Sequence, residues 1–123
     1  MRDPFEYAII RVLPRIERGE QINVGVVLYC QSRDFLAARA HLDGGRLRAL
    51  DPGVDAEAVA ASLRWWEAIC AGRPDAGPAA AMRLGERFGW LTAPRSTVVQ
   101  AGPVHTGLTD DPAAELDRLL DVL

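Results

Sequence analysis

The run of alternating apolar residues at positions 22–30 constrains the fold more than any other part of this chain. It reads Ile-Asn-Val-Gly-Val-Val-Leu-Tyr-Cys, and a two-residue period of apolar side chains predicts a β-strand. The alternation predicts one wholly apolar face, made of Ile22, Val24, Val26, Leu28 and Cys30. The opposite face is partly apolar too, as in a central strand covered on both sides; it carries Asn23, Gly25, Val27 and Tyr29.

Gly25 interrupts this strand. A glycine inside a strand offers no side chain for packing, and it usually marks a bulge or a place where another backbone or a ligand comes close. Because a single glycine is weak evidence for a ligand, the sequence favours a bulge or close packing at this position.

Two more strands are predicted beside this one, at residues 5–13 and 35–42. In the first, Ala8, Ile10 and Val12 alternate with Tyr7, Ile9, Arg11 and Leu13; in the other, Leu36, Ala38, Ala40 and Leu42 alternate with Arg39 and His41. The connections are too short for a crossover helix, so all three strands should be antiparallel. We expect the sequence Asp43-Gly44-Gly45 to form a sharp turn with glycines at positive φ, followed by either a short helical turn or an extended connection at 46–51.

The rest of the chain predicts helices and one more strand. Residues 55–71 form the clearest helix, since Asp55 suits the N-cap and Gly72 and Pro74 end it. Its apolar stripe is Val59, Leu63, Trp66, Ile69 and Cys70, with Trp65 at the margin. A weaker helix is expected at 78–88, a strand at 96–101 ended by Gly102-Pro103, and a last helix at 112–123 capped by Asp111.

These elements predict an α+β fold: a mainly antiparallel sheet of about four strands with two or three helices packed on it. The chain length suits a single domain, 1–123, with one core. The side chains expected to be nearly inaccessible are Ile10, Val24, Val26, Leu28, Leu63 and Trp66. The amino-terminal residues lack the apolar segment of a signal peptide, and no stretch approaches the roughly 20 apolar residues of a membrane span, so we expect a soluble, cytoplasmic protein.

The composition excludes several kinds of chemistry. All 14 basic residues are arginine, so a Walker-type phosphate loop and Schiff-base chemistry, which both need lysine, are excluded. A net charge of −3 and a pI near 5.3 argue against non-specific nucleic-acid binding. No nucleophile signature is present, and His41, His105 and Asp43 lack the spacing of metal ligands. Cys30 and Cys70 are expected to be buried free thiols, and no metal or cofactor is predicted.

A set of polar and aromatic residues on or beside the strands forms the candidate site: Arg11, Glu20, Asn23, Arg39, Trp90, Arg95, Gln100 and His105. Arginine and amide side chains suit recognition of an anion or a planar polar group. The ordinary alternative is that they make salt bridges and turn hydrogen bonds. For Arg11 the choice lies between reaching solvent, pairing with Glu20, and meeting a bound anion.

Three segments together resemble the bacterial family known as domain of unknown function 3037. They read YAIIRVLP from Tyr7, GEQINVGVVLYC from Gly19, and RFGWLTAPRSTVVQAGPVHTG from Arg87. The resemblance extends from Tyr7 through the last helix and implies no catalytic residue. It implies a small accessory protein, with a HipA-like kinase homologue as partner.

Two functions are therefore expected as alternatives. The first is a non-catalytic module that docks a partner protein, which an exposed Trp90 or an unpaired sheet edge would favour. The second is an enzyme or ligand-binding domain for a phosphate or nucleotide, which convergence of Arg11, Asn23, Arg39 and His105 on one pocket would favour. No membrane partner is expected, and a homo-oligomer is compatible with either function.

Overall fold

Strand β1 (Asp3–Val12) lies inside an antiparallel sheet and pairs with three other strands. The computed structural model describes residues 1–123. Its other strands are β2 (Ile22–Cys30), β3 (Phe35–Ala40), β4 (Val99–Ala101) and β5 (His105–Thr109). The order across the sheet is β3-β2-β1-β4, and β5 also pairs with β1. The predicted α+β class and the two antiparallel hairpins are confirmed, with one strand more than expected.

β4 and β5 form two halves of one sheet edge. β4 pairs with the last three residues of β1, where Val99 lies opposite Val12. β5 pairs with the start of β1, where His105 lies opposite Tyr7. Between them the Gly102 N–H donates to the Ile9 carbonyl at 2.8 Å. The predicted end of this strand at Gly102-Pro103 is confirmed, but the predicted start at residue 96 is wrong, because β4 begins at Val99. The sheet edge then continues in a further strand, β5, to Thr109.

A bulge in β2 divides its apolar residues between the two faces of the sheet. Ile10 lies opposite Gly25, but the next residue, Arg11, lies opposite Asn23, so Val24 is the extra residue. Because side chains alternate with period 2, the bulge reverses the facing on either side of it. The prediction of one wholly apolar face is wrong, since Ile22 and Val24 join one core, whereas Val26, Leu28 and Cys30 join the other.

Four helices follow the first three strands: α1 (Gly44–Leu50), α2 (Ala56–Ala71), α3 (Leu84–Thr92) and α4 (Pro112–Asp121). The structure decides the open choice at 46–51 in favour of helix. The predicted glycine turn at 43–45 is wrong, because the Asp43 carboxylate accepts the N–H groups of Gly45 and Arg46 and so starts α1 as its N-cap. Neither Gly44 nor Gly45 has a positive φ. The predicted caps Asp55 and Asp111 are confirmed.

The helix expected at 78–88 is displaced along the chain. Pro78–Ala81 forms a 3-10 turn, and Met82 and Arg83 are extended, with ψ of 161° and 157°. α3 begins only at Leu84, and it runs through Gly85 to Thr92. Proline fits the first turn of a helix, but the turn that begins at Pro78 does not continue into an α-helix. The predicted helix start at residue 78 is therefore wrong.

The sheet has a hydrophobic cluster on each face. The larger cluster contains 18 buried residues and lies under α1, α2 and α3. The smaller one contains six and lies under α4: Phe5, Val26, Leu28, Cys30, Leu116 and Leu119. All six residues predicted to be inaccessible are buried, and both cysteines are buried free thiols as expected. No helix combines the length and apolar character that crossing a lipid bilayer demands.

Candidate functional site

An apolar groove of about 620 Å³ lies beside the first residues of β4. Its walls come from α2, α3 and the segment that leads into β4; we call it the tryptophan groove. The side chains that shape it are Trp65, Trp66, Trp90, Arg95, Val98 and Val99. Its volume falls within the range of about 300–1,000 Å³ that is usual for ligand pockets.

Trp65 and Trp90 meet edge to face in this groove, with ring centroids 5.4 Å apart and an interplanar angle of 65°. The Trp65 indole N–H donates to the Ala76 carbonyl at 3.0 Å, which fixes that ring. Trp90 remains 38% exposed. A fixed indole beside a partly exposed one gives a rigid apolar surface, which is typical of sites that anchor a partner side chain.

Arg95 is held against Trp90 in two ways. Its guanidinium carbon lies 4.5 Å from the Trp90 ring centroid, within cation–π range, and its Nη2 donates to the Trp90 carbonyl. Two residues of the predicted site therefore meet here. Arg95 places a positive charge at the groove, whose lining also includes the carboxylates of Asp51 and Asp55.

The sheet edge next to the groove carries no charge. Residues 96–109 contain no aspartate, glutamate, lysine or arginine, in a chain that is 25% charged. No strand pairs with the outer side of β4 or β5, and Val98, Val104 and Leu108 are exposed along this segment, Leu108 to 59%. Edge strands are normally protected by charge, proline or bulges; here Gly102-Pro103 is the only interruption.

Arg11, Asn23 and Arg39 lie on one face of the sheet but do not meet. Asn23 is the cross-strand neighbour of Arg11. The Arg11 guanidinium turns away toward β4, where Nη1 lies 3.5 Å from the position that a Cβ on Gly102 would occupy, and its buried Nε has no hydrogen-bond partner. Arg39 forms an ion pair with Asp117 of α4, so it ties the edge strand β3 to that helix.

The remaining predicted residues are dispersed. Glu20 pairs with Arg18 at 2.7 Å, so the proposed Arg11–Glu20 ion pair is wrong. The Gln100 amide donates to the Thr97 carbonyl at 2.8 Å. His105 is exposed on β5, with its ring centroid 5.3 Å from that of Tyr7.

The thiols do not form a nucleophilic site. Burial raises the pKa of the Cys70 thiol to about 12, although the nearby Arg87 charge opposes this shift. Cys30 is buried in the smaller cluster, and its Sγ lies 3.5 Å from the Pro4 carbonyl oxygen. Cys70, whose thiol stays protonated, is therefore a poor nucleophile.

Arg87 was not singled out from the sequence, yet it makes more hydrogen bonds than any predicted site residue. Its Nη1 donates to the carbonyls of Ile69 and Cys70 at 3.1 and 2.9 Å, and its Nε donates to Met82 at 2.8 Å. These bonds join the end of α2 to the start of α3 and thereby support one wall of the tryptophan groove. Nothing in its local sequence distinguishes Arg87 from the other arginines.

A comparison with protein-family models gives a match over most of the chain. The family model described as "Protein of unknown function (DUF3037)" matches residues 7–123. The chain belongs to the DUF3037 family. Searches of curated proteins and of solved structures returned no match.

The DUF3037 match spans the residues that line the groove and those of the uncharged edge, from Tyr7 of β1 through α4. The family description assigns no activity. Function in this DUF3037 protein therefore has to be argued from the geometry of the tryptophan groove and the edge beside it.

Proposed function

We propose that this DUF3037 protein is a non-catalytic interaction module that binds an extended segment of a partner protein along the β4–β5 edge. The observation that carries the proposal is the uncharged, unpaired edge of residues 96–109. An added strand gains main-chain hydrogen bonds from such an edge, and this mode of recognition is common among peptide-binding domains.

The tryptophan groove supplies the side-chain part of this recognition. Val99 at the start of β4 lines the groove, and it belongs to the larger core cluster under α2. A strand added outside β4 would lie about 4.8 Å away and point every second side chain toward that face of the sheet. An apolar side chain at one such position would enter the groove against Trp90.

The other edge of the sheet is a poorer candidate. β3 contains Arg39, which is held by Asp117 of α4, and it begins just after Arg33 and Asp34. Charges of this kind disfavour edge-to-edge pairing. The contrast between the two edges supports β4–β5 as the docking edge.

The first test selects peptides from a phage-displayed library of random linear sequences on the wild-type protein. We expect enrichment of peptides with alternating apolar residues. Trp90→Ala should weaken the best peptide by roughly 30-fold, the effect of losing an interface hot spot of about 2 kcal/mol. Leu108→Lys, which places a charge on the edge, should weaken it at least about tenfold.

Val122→Lys is the matched control, because Val122 is also an exposed apolar residue, at 70% exposure, but lies after α4. It should leave peptide affinity unchanged. Peptides that bind wild type and Leu108→Lys equally well would refute the edge as the docking site. A wild-type dimer that Leu108→Lys dissociates in sedimentation would instead show that a second copy occupies the edge.

The natural partner proposed is a HipA-like kinase homologue, as the family resemblance implies. Calorimetric titration of a purified homologue from the same genome should give saturable binding to wild type. Leu108→Lys should weaken that binding while Val122→Lys should not. If a folded homologue gave no heat of binding, this partner would be ruled out. The peptide selection would then remain the test of the β4–β5 edge.

A further inference from the structure

A second, smaller cleft lies between the start of β2, the connection from β3 to α1, and the end of α4. Its volume is about 250 Å³. We call it the Asn23 cleft; the residues that matter for its chemistry are Asn23, His41, Asp43, Arg46, Leu120 and Leu123. Only Asn23 belongs to the site predicted from the sequence. The cleft shares no lining residue with the tryptophan groove, so it would act independently of the proposed partner docking.

One side of this cleft is rich in hydrogen-bond donors that have no partner within the protein. The side chains of Asn23, His41 and Arg46 take part in no intramolecular hydrogen bond, and Arg46 and His41 are in no ion pair. All three residues are exposed to solvent, and they line one concavity, which brings an amide, an imidazole and a guanidinium to the same volume.

Asp43 is the one carboxylate in the lining. Its Oδ1 already accepts the backbone N–H groups of Gly45 and Arg46, at 3.0 and 3.2 Å. Part of its acceptor capacity is therefore used within the fold. The remaining donors exceed the acceptors that the cleft itself supplies, and this excess favours an acceptor-rich ligand.

The other side of the cleft is apolar. Leu120 and Leu123 close it from the end of α4. Ile22 and Val24 of β2 also line the cleft, although both are buried in the larger cluster on the other face of the sheet. A hydrated inorganic ion would gain little from these walls. An organic anion with a short hydrocarbon part would place its charged group on the donors and its apolar part on the leucines.

We propose that the Asn23 cleft binds a small organic oxyanion, with Arg46, Asn23 and His41 donating to the oxyanion group and Leu120 and Leu123 packing on its hydrocarbon part. The guanidinium fork matches both carboxylate and phosphate oxygens. The cleft is smaller than the usual pocket for a drug-sized molecule, so the ligand is of metabolite size.

The test is an NMR titration of the ¹⁵N-labelled protein with four probes: isovalerate, acetate, isobutyl phosphate and inorganic phosphate. We expect saturable shifts at the Asn23 side-chain amide and in the backbone of residues 41–46. Isovalerate should bind more tightly than acetate, and isobutyl phosphate more tightly than inorganic phosphate, because only the branched probes reach the leucines. The tighter of the two branched probes identifies the oxyanion group.

Arg46→Ala should weaken the tighter probe by about tenfold or more, the usual effect of losing a charge-assisted hydrogen bond. Arg48→Ala is the matched control, since Arg48 lies on the same helix with its guanidinium against Gly44, outside the lining. Both side chains are exposed, so both variants should fold.

Equal weakening by Arg46→Ala and Arg48→Ala would overturn the proposal, since it would indicate only a general charge effect. Non-saturating shifts with all four probes, or equal affinity for branched and unbranched probes, would overturn it as well. Peptide binding at the β4–β5 edge is measured with other variants, so failure of one proposal leaves the other standing.

Discussion

At the scale of single residues, arginine is used for its geometry rather than only for its charge. Arg87 donates from two nitrogens to three carbonyls, and the Arg95 guanidinium lies over the Trp90 ring while donating to the Trp90 carbonyl. The arrangement of Arg87 needs the planar, forked guanidinium, which a lysine ammonium does not provide.

Cys70 makes the stability of this protein sensitive to alkaline pH. Burial raises the pKa of its thiol from the ordinary value of 9.0 to about 12. Above about pH 9 the unfolded chain therefore loses a proton that the folded protein keeps, so the free energy of unfolding should fall as pH rises from about 9 toward 12. The loss from this thiol is at most about 1.4 kcal/mol per pH unit.

Urea unfolding of wild type and Cys70→Ala between pH 7 and 10.5 measures this effect. The alkaline part of this window is simple because the chain has no lysine, so its ionisable groups there are the two cysteines, the two tyrosines and the amino terminus. The wild-type free energy should decline more steeply than that of Cys70→Ala. Parallel pH profiles would show that the thiol ionises equally well in the folded protein.

At the scale of elements, the bulge in β2 determines which residues face which core. Gly25 permits it, because a Cβ at this position would lie 2.5 Å from the Arg39 carbonyl oxygen and 3.1 Å from Ala40. Distances this short involve backbone atoms of β3, which a side-chain rotation does not relieve. The glycine is thus required by the close approach of β3 at the bulge.

Gly25→Ala should destabilise the protein by about 1–3 kcal/mol, the usual cost of forcing extra atoms into a packed site. Gly89→Ala is the matched control: Gly89 lies inside α3, and a Cβ there meets no atom within 4 Å. Alanine is the better helix former, so this variant should gain up to about 1 kcal/mol. Chemical denaturation measures both, and an equal effect of the two substitutions would contradict the close approach at Gly25.

At the scale of the whole molecule, the sheet carries a large hydrophobic cluster on one face and a small one on the other. The cluster under α2 contains 18 buried residues, and the cluster under α4 contains six. α4 leaves Tyr7 and Ile9 only half-buried at the margin of the smaller cluster. Most of the hydrophobic free energy should therefore come from the α2 side.

Trp66→Ala tests the contribution of the larger cluster to stability, because Trp66 is 2% exposed within it. Its removal should cost about 3–5 kcal/mol, a large part of the roughly 5–15 kcal/mol that a domain of ordinary stability has. Trp90→Ala is the control: the ring is partly exposed, and losing its contact with Trp65 should cost only about 1 kcal/mol. Equal melting temperatures for the two variants would show that the α2 stripe does not form the core.

The sequence by itself determined the fold class, the antiparallel hairpins, the caps of α2 and α4, and the buried positions. These depend on local physics: alternation of apolar residues, connections too short for a helix, and side chains that accept the free N–H groups of a helix start. It also singled out Trp90 and Arg95 as candidate site residues, and these two do meet in the structure.

Only the tertiary structure decided the faces of β2, the existence of β5, the start of α3 and the partners of the arginines. A bulge shifts the register without changing the apolar pattern that precedes it, and β5 exists only because β1 offers it a ladder of hydrogen bonds. Arg39 meets Asp117, 78 residues along the chain, a distance over which sequence periodicity carries no information. The tryptophan groove and the Asn23 cleft likewise assemble residues from distant segments, so packing alone brings them together.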